Sequence, residues 1–140
     1  MIVVVDTNVA VVANKRSEQA SPDCVSTCVE RLTRITSGVD KLALDDRWRI
    51  IEEYQRNLHS SGQPGLGDMF CRWVLTNREN PQRCERVKIT PIGGSETDFR
   101  EFPSDAALSD FDPSDRKFIA VALAHPQKPP ILQVERSEIL

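Results

Sequence analysis

At 140 residues, 39% hydrophobic and 28% charged, the chain has the size and composition of one ordinary globular domain with enough length for a real core. A formal net charge of −3 argues against nonspecific coating of nucleic acid by charge alone, although clustered acids offset by metal ions would also lower it. No apolar stretch approaches the roughly 20 residues that span a bilayer, and the start lacks the basic segment of a signal peptide. The expected location is therefore cytoplasmic, with no membrane partner.

Ile2-Val3-Val4-Val5 is a run of β-branched and apolar residues that predicts a first strand covered on both faces. Asp6 closes it, and Asp6-Thr7-Asn8 opens a short helix over about 8–15. Ser21-Pro22-Asp23 is a start signal for a second helix over 23–36, which Gly38 ends. Cys24 and Cys28 lie one turn apart in it, and with Cys71 and Cys84 they match no zinc pattern, so core thiols in a reducing compartment are expected. Residues 39–44 read as a second strand, and Asp45-Asp46 as the cap of a helix over 46–59.

Gly62, Pro64, Gly65 and Gly67 mark a loop, followed by a helix over 68–77 and a third strand over 86–90. Residues 91–111 are expected to be irregular, with one turn over 105–108. Asp112-Pro113-Ser114-Asp115 begins an apolar helix reaching about His125, with Asp112 as cap and Asp115 at its third position. Ile131-Leu132 forms a short fourth strand. Strands separated by helices predict an α/β fold with a parallel sheet and helices on both faces.

In such a scheme acids gather at one edge. Asp6 ends strand one, Glu52 or Glu53 lies in the helix after strand two, Asp115 in the first turn of the last helix, and Glu135 just after strand four. Helical geometry leaves Glu52 and Glu53 open, because each borders the face formed by Trp48, Ile50, Ile51, Tyr54 and Leu58. Carboxylates packed together repel one another, and that density of oxygen ligands suits Mg²⁺ or Mn²⁺. Asn8 can hydrogen-bond a metal-bound water or cap the next helix.

Together these pieces resemble the PIN domain, the nuclease fold of VapC-like toxins and of stand-alone ribonucleases. The resemblance rests on Val3-Val4-Val5-Asp6-Thr7-Asn8, on Leu44-Asp45-Asp46 through Ile51-Glu52-Glu53-Tyr54, and on Phe111-Asp112-Pro113-Ser114-Asp115-Arg116-Lys117-Phe118-Ile119-Ala120-Val121-Ala122, and it spans roughly residues 1–135. It implies a PIN-like three-layer α/β/α sandwich with a mostly parallel sheet of four or five strands, built from residues 1–140 as one domain. It favours Glu53 over Glu52 and assigns Asp6, Glu53, Asp115 and Glu135 as catalytic metal ligands.

The activity implied is metal-dependent endonucleolytic hydrolysis of single-stranded RNA with Mg²⁺ or Mn²⁺. Asn8 would orient the ligands, and Arg116 and Lys117 would contact phosphate. A toxin role would bring an antitoxin partner over the acidic cleft, and Phe70, Trp73 and Val74 offer a homodimer contact. The chain departs from the pattern at its end, where Glu135 or Glu138 stands for the usual aspartate and the closing strand is missing. The alternative is therefore a catalytically weakened nucleic-acid or protein binding module on the same fold. A phosphatase with Asp6 as nucleophile is disfavoured, since haloacid-dehalogenase-like enzymes carry a second Asp where this chain has Asn8.

Overall fold

The computed structural model describes residues 1–14, 20–59, 65–104 and 111–134. Its element order is β1 (Ile2–Val5), α1 (Thr7–Ala13), α2 (Pro22–Thr36), β2 (Lys41–Asp45), α3 (Arg49–Asn57), α4 (Leu66–Asn77), β3 (Cys84–Val87), a 3-10 turn (Pro113–Asp115), α5 (Arg116–Ala124) and β4 (Ile131–Leu132). The four strands form one sheet in the order β3-β2-β1-β4, and every pairing is parallel. Val3, Val4 and Val5 are fully buried because β1 is an inner strand with sheet neighbours on either side.

The topology follows from the handedness of crossovers. From β1 to β2 to β3 the chain steps in one direction across the sheet, whereas β3 to β4 steps back past β1. Right-handed connections then put α1 to α4 on one face and α5 on the other, consistent with three layers. Packing agrees: α1 meets α2 and α4, α3 meets α4, and α5 meets β1, β2 and β4. The reversal of direction at β1 is a topological switch point, where the carboxyl ends of parallel strands open a crevice.

Local chemistry sets the helix ends. Ser21 accepts from the Cys24 N–H at 3.1 Å with Pro22 in the first turn, as the sequence predicts. Asp6 rather than Asn8 caps α1, accepting from the Asn8 N–H at 3.1 Å. Asp45 is fully buried and takes the backbone N–H groups of Arg49 (3.0 Å) and Ile50 (2.9 Å), so it serves α3 from outside the helix while Trp48 occupies the cap position.

Asp68 ties the start of α4 to the residue after α3's end, accepting from the Gly65 and His59 N–H groups at 3.0 and 2.8 Å. Asn14 and Asp68 also exchange two bonds of 2.9 Å, pinning α1 to α4. The crossing is close enough that a Cβ on Gly67 would lie 1.8 Å from the Ala10 carbonyl oxygen.

Cys24, Cys28, Cys71 and Cys84 are buried, and burial pushes the Cys84 thiol up to about 11. Phe70 and Val74 belong to the core, while Trp73 is half-buried beside the exposed Leu66 and Met69. The stretch after β3 is more ordered than expected: a bridge between Pro91 and Phe99 makes it a short hairpin, with Gly93 and Gly94 at positive φ. The expected turn over 105–108, and the tail with Glu135 and Glu138, lie outside the described residues. Among the described residues no helix is long and apolar enough to cross a membrane.

Candidate functional site

The carboxyl end of β1 carries Asp6, half-buried at the switch point. α3 brings Glu53 towards it: Glu53 is 9% exposed, whereas Glu52 faces solvent. Packing thus decides between the two acids that helical geometry left open. Tyr54, next along, fixes the helix by donating its hydroxyl to the Val5 carbonyl at 2.6 Å, immediately before Asp6. Burial holds that phenol well above its ordinary titration range.

A chain of polar contacts joins the segments that carry the three acids. The Thr7 hydroxyl donates to one oxygen of Glu53, and the Lys117 ammonium donates to the other at 2.7 Å. The same ammonium donates to the Ser114 carbonyl. Thr7, next to Asp6, is therefore tied to Glu53 directly, and Ser114, next to Asp115, is tied to it through Lys117. Lys117 is 7% exposed, so it lies inside the site rather than on the rim where phosphate contact was expected.

The electrostatics carry the mark of crowded acids. Burial raises the Asp6 pKa, and the Glu53 charge adds to the effect, against the Asn8 N–H and Lys117. Asp115 is pushed up to about 6, first by burial and then by the negative charges of Asp6, Asp112 and Glu53, with Lys117 opposing. One lysine thus offsets a set of acids it cannot neutralise alone.

Asp112 caps the 3-10 turn as the sequence predicts, accepting from the Ser114 N–H at 3.0 Å and its hydroxyl at 2.9 Å. That turn delays the start of α5 to Arg116, so Asp115 precedes the α-helix instead of sitting at its third position. Arg116, expected to contact phosphate, is engaged within the protein instead. It is ion-paired with Asp98 of the hairpin and stacks over Phe102, 5.4 Å from the ring centroid. Asn8 is exposed, one residue beyond Thr7.

The donor set fits a hard divalent cation in part. Asp6 and Asp115 offer carboxylate oxygens whose raised pKa values a cation would reverse. Glu53, however, has both oxygens engaged, by Lys117 and Thr7. Among the described residues no group of three or more His, Cys, Asp or Glu is disposed to hold a metal ion.

Thr7, Tyr54 and the Ser114 carbonyl are site residues that sequence reasoning missed. Each is adjacent to an acid it had identified, and the signal was a hydrogen-bonding group one position away along the chain. No protein-family model matches the chain, and no curated protein or solved structure matches it.

Proposed function

We propose that the chain is a divalent-cation-dependent endoribonuclease of the PIN type, hydrolysing phosphodiester bonds of single-stranded RNA. What supports this reading is that Glu53 is bonded to Thr7, beside Asp6, and to Lys117, two residues from Asp115, while the charges of Asp6 and Glu53 both raise the Asp115 pKa. Asp6 and Asp115 would hold Mg²⁺ or Mn²⁺, with Glu53 and the tail residue Glu135 completing the acidic set. A cation bound there lowers the pKa of water and offsets charge on the phosphodiester.

The chain's own residues do the positioning. Thr7 and Lys117 fix the Glu53 carboxylate. Lys117 supplies a buried positive charge that offsets part of the acids' charge, and a bound cation would supply the remainder that an anionic phosphate needs. Tyr54 sets the register of α3 against the end of β1. A toxin–antitoxin role would have the antitoxin cover this edge of the sheet, and a homodimer would use the surface around Trp73.

The second reading is a binding module on the same fold, and the Lys117–Glu53 contact favours it, because a resident cation already satisfies one of the acids. The two separate on one experiment. Labelled single-stranded RNA is incubated with Mn²⁺ and either the parent or Asp6→Asn. Cleavage by the parent and its loss in the variant supports the nuclease; equal activity in both removes it. Failure of saturating Mn²⁺ to raise the melting temperature favours the binding module, since a ligand of the native state must stabilise it.

A further inference from the structure

Lys117 puts a fixed positive charge among acids that a purely carboxylate metal centre would leave free. Its ammonium donates to Glu53 at 2.7 Å and to the carbonyl of Ser114, in the turn that carries Asp115. It also lies 5.1 Å from the centroid of the Phe118 ring, which adds a cation–π contact. The side chain is 8% exposed. An ammonium buried and held in this way does not reach out to water as a surface lysine does.

Both oxygens of Glu53 already have donors, since Thr7 meets the one that Lys117 does not. The Glu53–Lys117 pair is neutral as a unit, so the charge it offers a dication is small. A dication placed on Glu53 would also face the ammonium at close range, with twice a unit charge in the repulsion. Asp112 spends its carboxylate on the N–H and hydroxyl of Ser114.

Among the described residues, Asp6 and Asp115 therefore hold the acid charge still open at the switch point. One or two carboxylates are the usual protein share of a bound Mg²⁺, the remaining places being filled by water and phosphate oxygen. A second ion drawn to Glu53 would need the place that the ammonium fills. An ammonium offsets negative charge there but takes no ligands, so it cannot activate water as a metal does.

We propose that Lys117 takes the place of a second divalent cation at this site. One ion is then held on Asp6 and Asp115, and Glu53 is the counter-ion of the lysine, not a metal ligand. Lys117 acts through Glu53 and the ion, as a positioning residue. The proposal deepens the ribonuclease reading and rests on its cation site, and its test lets the two fail separately.

Mn²⁺ is titrated into the protein, and the free ion is read by electron paramagnetic resonance at room temperature. Ions still bound by Asp6→Asn combined with Asp115→Asn are subtracted, as belonging elsewhere on the chain. Above that background the parent should bind one ion. Lys117→Met should bind two, because it bares the Glu53 carboxylate. Glu53→Gln combined with Lys117→Met removes charges that cancel. That double variant should bind one ion with an affinity within about tenfold of the parent's, whereas losing even a supporting partner of a metal ligand costs about 10–100-fold.

Two ions in the parent, one in Lys117→Met, or a larger loss of affinity in the double variant overturns the proposal. Where Lys117→Met does not fold, the parent and the double variant decide. Two ions in the parent together with RNA cleavage overturns the proposal and leaves the ribonuclease reading standing. One ion in the parent without cleavage supports the proposal and removes that reading. No ion above background in the parent overturns both.

Discussion

Replacing Lys117 with methionine keeps the apolar stem and deletes the charge that faces Glu53. The pair is short, 2.7 Å, and the two side chains are only 8% and 12% exposed. At an effective dielectric of about 20 the gross attraction is about 6 kcal/mol. Desolvation of both charges takes back much of that, so the pair as a whole adds little to stability. Removing one partner is different, since it strands the other charge inside the protein at a cost of about 3–5 kcal/mol.

Thr7 still donates one hydrogen bond to Glu53 in the variant, which puts the expected loss near the lower figure, about 3 kcal/mol. Urea unfolding followed by circular dichroism reads it as a lower midpoint with an unchanged slope. Pairing Lys117→Met with Glu53→Gln should recover most of the loss, because the buried charge is then gone as well. Mn²⁺ at about 100 times its dissociation constant should recover about 2.7 kcal/mol in Lys117→Met, by taking the place of the ammonium. A Lys117→Met variant within about 0.5 kcal/mol of the parent, below the usual range for a disrupted buried network, would refute the assignment of Lys117 as the cation that satisfies Glu53.

The other predictions concern single positions. The Asp115 pKa is raised in the folded state, so its contribution to stability is fully present below the unfolded value of 3.8 and is lost as pH rises through about 6. Asp115→Asn should therefore flatten the fall in melting temperature across that window and raise the melting temperature at neutral pH, checked by thermal scans in a pH series without divalent cations. Gly67→Ala drives a methyl into the Ala10 carbonyl at 1.8 Å, and it should cost about 3 kcal/mol or prevent folding, read by urea unfolding and soluble yield. Asp68→Ala leaves the His59 and Gly65 N–H groups and the Asn14 amide without their acceptor. It should cost about 3 kcal/mol, with faster hydrogen exchange at residues 59 and 65.

What the sequence determined by itself was local. The apolar run of β1 and the alternation of strands and helices were legible because a buried strand and an amphipathic helix write their periods into a few adjacent residues. Ser21 with Pro22, and Asp112 with Pro113, announced helix starts for the same reason: a cap bonds a backbone group two or three positions away. Asp6, the Glu52–Glu53 pair and Asp115 were legible as candidates because an acid at the end of a buried strand, beside the apolar face of a helix or in a helix's first turn is conspicuous there.

What only the tertiary structure decided depends on partners distant in the chain. Glu53 points inward and Glu52 outward because Thr7 and Lys117, 46 and 64 positions away, meet the former. The 3-10 turn at Pro113–Asp115 shifts the start of α5, so Lys117 enters the site while Arg116 is drawn off to Asp98, 18 residues back. Trp48 is covered by Arg78 from α4's end and by Arg86 from β3, through sheet pairing that no run of neighbouring residues records. Orientation about a helix axis and the pairing of charges are set by whatever surface packs against them, and that surface exists only once the sheet has assembled.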